Sequence, residues 1–170
     1  MRGRPLTSGE RALAAGVFGD TLDLAPVRLH AHPFGAFAVT IGPRILFPGE
    51  PPRDFAAAPL EAQGWLVHEL VHAWQFQTAP LRTLASWAKV ALSGGYGPGL
   101  PGYRYPWPPP PWRRLNLEQQ ASLVQAAFLD RGRRPRFSVP EMAKGVNPAR
   151  YAGLTPFKFL DGRPRAAGVP

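Results

Sequence analysis

The chain is expected to fold as an α+β domain, a small antiparallel sheet with two long helices packed against it. Two segments, about residues 60–77 and 117–131, carry apolar side chains at helical spacing. Between them and the N-terminus, residues 27–32, 34–41 and 45–47 alternate or run apolar between glycine and proline breaks, the pattern of short strands. A length of 170 residues with 45% apolar content suffices for one core, and one domain is the natural division at that size.

Taken in order, residues 7–18 read as a first helix. Thr7 with Glu10 three residues on is a capping box, Leu13, Ala14 and Val17 make an apolar stripe, and Gly19 stops it. The three short runs follow as two or three antiparallel strands, with 45–47 the expected edge. Pro51 and Pro52 open a loop, and Pro59 is placed to start the second helix. In that helix Leu60, Leu66, Val67, Leu70, Val71, Ala73 and Trp74 form a broad apolar face bordered by His68 and His72. Gly64 weakens the helix, so it is expected to admit another backbone closely. A third helix spans about residues 81–92. Residues 93–112 hold seven prolines, five glycines and five aromatics, too many breakers for a regular element; they read as a connector or as a rim over a cleft. Asn116 caps the fourth helix, which Gly132 ends. A single domain is expected over 1–132, with 133–170 a basic, Pro- and Gly-containing extension that is partly ordered at best.

Within the second helix, His68-Glu69-Leu70-Val71-His72 matches H-E-x-x-H. Residues four apart stand one above the other on a helix, so both imidazoles can close on one metal ion. Glu69 lies about 100° round the helix, within reach of a water on that metal. The chain has no cysteine, so the metal must be held by histidine and carboxylate. A catalytic zinc needs a third protein ligand, and no histidine follows His72. Of the downstream acids Glu118, Asp130, Glu141 and Asp161, Glu118 stands out at the start of a predicted helix that can pack antiparallel to the first. An acid there also suits the helix dipole without any metal. Asp130 is the runner-up, being an acid in a last turn where it is unfavourable. His30 and His32 share one strand face but are expected to be partly exposed strand residues rather than ligands.

The sequence resembles the small Vgr-related proteins of proteobacteria, relatives of H-E-x-x-H domains found near polymorphic toxins. The resemblance covers about residues 6–132. It rests on Leu6-Thr7-Ser8-Gly9-Glu10, Val17-Phe18-Gly19-Asp20 and Val27-Arg28-Leu29-His30. It continues through Gly64-Trp65-Leu66-Val67-His68-Glu69-Leu70-Val71-His72-Ala73-Trp74-Gln75, Tyr103-Arg104-Tyr105 and Glu118-Gln119-Gln120-Ala121. It implies a minimal zincin-like, gluzincin-type domain in which His68, His72 and Glu118 bind Zn²⁺ and Glu69 is the base. The proline-packed stretch from Pro106 to Pro111 departs from the family pattern. The activity implied is zinc-dependent peptide-bond hydrolysis, with a peptide or protein as substrate. Tyr103 and Tyr105, between the two helices in sequence, are candidate donors to the tetrahedral oxyanion, although each can equally be a packing aromatic. The alternative is a zinc-bound, non-catalytic accessory or adaptor module of a secretion or toxin system.

The charge balance could suit nucleic acid, anionic lipid or an acidic partner, but the composition argues against nucleic acid. The net charge is +9, and residues 131–170 hold nine Lys/Arg against two acids. Yet 17 of the 20 basic residues are arginine, in a chain rich in alanine, glycine and proline, a bias that looks genomic. No nucleic-acid-binding signature accompanies it. No apolar run approaches the roughly 20 residues a bilayer requires. Nor does residues 13–18 make a secretory core, so a cytoplasmic location is the default expectation, with specialised export leaving no mark.

Overall fold

A computed structural model describes residues 3–34, 36–96, 101–104, 109–130, 158–160 and 163–165. Two-residue strand β1 (Arg4–Pro5) precedes helix α1 (Ser8–Phe18). Then come strands β2 (Arg28–His32), β3 (Val39–Ile41) and β4 (Arg44–Pro48), and helices α2 (Leu60–Thr78), α3 (Pro80–Leu92) and α4 (Leu117–Asp130). The class is the α+β arrangement expected of a zincin-like domain: a four-stranded sheet with four helices.

The capping box of α1 forms as the sequence indicates: the Thr7 hydroxyl accepts from the Glu10 amide, and the Glu10 carboxylate accepts from the Thr7 amide. Glu10 also ties three pieces of chain together. It is fully buried, accepts both terminal nitrogens of Arg4 at 2.9 and 2.7 Å, and accepts the Phe55 amide at 2.9 Å. Burial pushes its pKa up, but the Arg4 guanidinium and two backbone amides outweigh that and hold it below the usual carboxylate range.

The sheet is mixed rather than antiparallel. Its order is β1-β2-β4-β3, with β2 and β4 parallel and the other two pairs antiparallel. The turn Gly42-Pro43, with Gly42 at φ 58°, folds β3 back on β4, so that Ile41 faces Arg44. Strand β4 then takes the interior place because its Ile45 and Phe47 are the side chains that bury completely, whereas Val39 and Ile41 of β3 stay exposed. Apolar alternation is the same for parallel and antiparallel pairing, which is why the pattern alone did not distinguish them. The expected edge strand is therefore central, and β3 is an edge of the sheet among the described residues, beside α2.

Helix α2 is the axis of the domain. From Leu66 to Ala73 every residue is buried, because the sheet, α1, α3 and α4 surround that stretch; Leu60, counted toward the apolar face, is exposed at the first turn. Gly64 marks the close approach of α4. A Cβ there would sit 2.9 Å from Leu129 Cδ2, so the neighbour that needs the space is a leucine side chain rather than a backbone. Pro59 opens α2 as expected, at the N-cap rather than the first helical position, and Pro80 also opens α3, one residue before the expected start. Asn116 caps α4 reciprocally with Gln119, its Oδ1 accepting from the Gln119 amide at 2.8 Å and its own amide donating to Gln119 Oε1 at 3.0 Å. The expected domain boundary near residue 132 lies outside the described residues, as does most of the extension. Within that extension only β5 (Lys158–Leu160) and β6 (Arg163–Arg165) are described, an antiparallel pair.

Candidate metal centre

His68 and His72 stand one turn apart on α2, and Glu118 reaches them from the first turn of α4. The three atoms they offer to a metal form a near-equilateral triangle. His68 Nε2 and His72 Nε2 are 3.2 Å apart, and Glu118 Oε2 lies 3.3 Å from the first and 3.2 Å from the second. All three residues are buried, and they are the group of histidine and carboxylate side chains, among the described residues, able to hold a metal ion.

Two glutamines set the chemistry of the triangle. Gln75 donates its amide N–H groups to Leu117 O at 3.2 Å and Gln120 Oε1 at 2.9 Å, which fixes its Oε1 toward His72. His72 Nδ1 must then donate to that oxygen, at 2.9 Å. His68 Nδ1 faces Gln125 Oε1 at 3.1 Å in the same sense. His72 thus carries its proton on Nδ1 and turns the Nε2 lone pair inward, the tautomer that a metal requires, and a Gln125 oxygen facing His68 Nδ1 favours the same for that ring. Three electron-rich atoms so close repel one another unless a cation lies among them. In the absence of a metal, a proton plays that part. Burial lowers the pKa of His72, but the Glu118 carboxylate, by charge and hydrogen bond, overrides it and raises it to about 9. Burial likewise opposes charge on Glu118, and the neighbouring His72 and His68 hold it far below the usual carboxylate range instead.

Glu69, buried between the triangle and the sheet, is held from the other side. The Thr40 hydroxyl of edge strand β3 donates to its Oε2 at 2.7 Å, and its Oε1 has no hydrogen bond among the described residues. A residue the motif did not indicate completes the surroundings: the Tyr96 hydroxyl donates to Glu118 Oε1 at 2.6 Å, leaving Oε2 for the triangle. Burial, then the Glu118 carboxylate, pushes the Tyr96 phenol well above its ordinary pKa. Tyr103 lies nearly parallel to the His68 ring, centroids 5.9 Å apart, and burial with the same carboxylate raises its phenol too. Tyr105 lies outside the described residues.

Glycine brings both tyrosines in. Gly95 accepts the Gly102 amide at 3.0 Å, folding the segment back across the end of α3. A Cβ on Gly95 would fall 2.8 Å from Val90 O, and one on Gly102 would fall 2.8 Å from Val90 Cγ1. Gly95 and Gly102, two of the glycines read as breakers, are thus packing contacts that deliver Tyr96 and Tyr103. The remaining candidates stay apart. Asp130 ends α4, about 18 Å of helical rise beyond Glu118. His32 accepts the Phe34 amide at Nδ1 and meets Phe37 O at 2.9 Å through Nε2, bracing the β2–β3 connection. Neither it nor His30 joins the triangle, in line with their reading as strand residues.

No family model matches the sequence. The chain is 31% identical over 165 residues to the type VI secretion system spike protein VgrG2b of Pseudomonas aeruginosa, an alignment covering 89% of this chain and 15% of that protein. The chain therefore spans about one seventh of that relative. The solved effector domain of Pseudomonas aeruginosa VgrG2b superposes with a TM-score of 0.64 at 29% identity, over 89% of this chain and 83% of that one. Sequence and structure agree that this chain is homologous to the effector domain of VgrG2b, a Vgr-related protein.

Proposed function

We propose that the chain is a zinc-dependent metallopeptidase of gluzincin type, with His68, His72 and Glu118 as ligands and Glu69 as general base. The observation that carries this reading is the size of the donor triangle. Three corners of a tetrahedron with bonds of about 2.0–2.1 Å lie about 3.3–3.4 Å apart, against 3.2–3.3 Å here. Nitrogen and carboxylate donors in a two-histidine, one-glutamate set suit zinc and leave one position open. The zincin-like unit comprises residues 1–132, with 133–170 a basic extension.

A zinc ion held there would supply Lewis acidity and bring a coordinated water to a pKa of about 7. The protein's own part is to move protons and position groups. Glu69 Oε1 accepts the proton of the attacking water and returns it to the departing amine. Thr40, fixed on β3, keeps Glu69 Oε2 occupied, so that one oxygen alone does this work. Gln75 and Gln125 keep the imidazoles in the ligating tautomer, and Tyr96 keeps Glu118 turned inward. Tyr103 and Tyr105 are the donors assigned to the tetrahedral oxyanion. An extended peptide or protein substrate lies along the edge of β3 rather than β4. By homology to a type VI secretion system spike protein, that secretion system is the physiological partner. No helix among the described residues is long and apolar enough to cross a membrane.

Elemental analysis should find about one zinc per chain, and absence of stoichiometric metal would remove the site. Glu69→Gln should keep its zinc, yet the new protein termini seen in proteome-wide cleavage profiling should vanish. Unchanged hydrolysis would take the base role from Glu69. Silence of the wild-type protein, with stable capture of one partner, would favour a zinc-bound adaptor.

A further inference from the structure

Beside the triangle lies a cavity of about 190 Å³ between the edge of β3 and helix α3. It is lined by Phe37 and Val39 from β3 and the segment before it, by Phe76, Trp87 and Leu117 from α2, α3 and α4, and by Glu69 and His72 of the motif. Trp87, Tyr96 and Tyr103 continue as a chain of ring contacts, with centroids 6.4 and 6.2 Å apart. Hydroxyls also line the space: the Tyr103 phenol lies beside Glu118, and the other three already serve the protein. Thr40 donates to Glu69, Thr83 donates to Gln75 O at 2.9 Å, and Tyr96 donates to Glu118. A side chain entering here meets carbon and aromatic faces rather than hydroxyls in want of a partner. Among the described residues the lining contains no lysine or arginine, and Glu69 faces the same space, so an acidic group is disfavoured twice.

We propose that this cavity is a specificity pocket for one large, uncharged apolar side chain of the substrate, of phenylalanine, leucine or methionine size, next to the bond that is cut. The assignment rests on the peptidase reading and adds the substrate class to it. The volume is appropriate: an apolar cavity of about 150 Å³ takes a benzene ring. Trp87 and Phe37 are each close to half exposed, at 45% and 44%, which places the opening where a chain along β3 can insert a side chain without unfolding either wall. Burying a side chain of that size favours it over alanine by about 10–100-fold, and more strongly over aspartate.

The test uses the full chain loaded with zinc and a library of peptides varied at single positions, with cleavage sites read by mass spectrometry. In parallel, the Glu69→Gln protein is titrated with labelled peptide pairs that differ only in Phe, Ala, Lys or Asp at one position. Expected are cuts flanked by large apolar residues, and binding of the Phe peptide at least tenfold tighter than the Ala or Asp peptide. Trp87→Ala, at a half-exposed position, should melt like wild type and lose most of that ratio. Cleavage with no apolar preference, binding that favours Lys, or a Phe-to-Ala ratio unchanged by Trp87→Ala would each overturn the pocket. Discriminating binding without any cleavage would uphold the pocket while refuting the peptidase reading.

Discussion

Replacing Tyr96 by phenylalanine removes one oxygen atom and tests whether the third ligand is held ready by its neighbour. The hydroxyl donates to Glu118 Oε1 at 2.6 Å, in the range of a short O–H···O⁻ bond. Hydrogen bonds to charged groups contribute about 1.5–3 kcal/mol net. Losing one behind a metal ligand lowers affinity by about 10–100-fold, and the two ranges agree, since a factor of ten is about 1.4 kcal/mol. The ring itself remains, keeping its contacts with Trp87 and Tyr103, so folding should be little changed. Competition with a chelator of known affinity, followed at constant pH for both proteins, measures the difference. A zinc affinity within twofold of wild type, with normal folding, would show that Glu118 needs no such support.

Three other outcomes follow from the same contacts. Gln75→Leu should weaken zinc binding by about 10–100-fold, because His72 Nδ1 loses its acceptor and Leu117 O its donor; chelator competition and a thermal melt would read both effects. With His72 raised to about 9 by Glu118 in the metal-free pocket, zinc must displace that proton, so affinity should climb with pH up to about 9 and then level off. Calorimetry in buffers of different ionisation enthalpy should find proton uptake by the buffer, and no linkage would contradict a His72 that is protonated before zinc binds. Glu10→Ala leaves Arg4 without its partner and should cost roughly 3 kcal/mol in denaturant unfolding. Because Glu10 sits below the usual carboxylate range, its contribution is present above the ordinary glutamate pKa and fades as pH falls through the lower, folded-state value. The gap between wild type and variant should therefore narrow in acid.

The candidate metal triangle was partly legible in the sequence. His68 and His72 could be read because one helix carries both, and helical geometry makes positions four apart neighbours. Glu118 required packing of a second helix, and it was reachable only because few acids lie downstream and the chain resembles a known family. The features that tune the triangle were not legible. Gln75 acts through the direction of its amide, set by Leu117 O and Gln120 of α4, and no spacing encodes that. Tyr96 sits among glycines and prolines, where breakers conceal a tight fold-back that only the contacts of Gly95 and Gly102 with Val90 reveal. The parallel pairing of β2 with β4 was hidden because alternation specifies faces, not directions. β1, two residues long, is too short to leave a pattern, yet it carries the arginine that neutralises Glu10.

The most direct test is a crystal structure of the zinc-loaded chain with anomalous data collected on both sides of the zinc edge. A single strong peak should lie about 2.0–2.1 Å from Nε2 of His68, Nε2 of His72 and a carboxylate oxygen of Glu118, with Glu69 close by but not coordinating. Crystals grown in excess zinc that show no peak among these atoms, or a peak held by other side chains, would contradict the account.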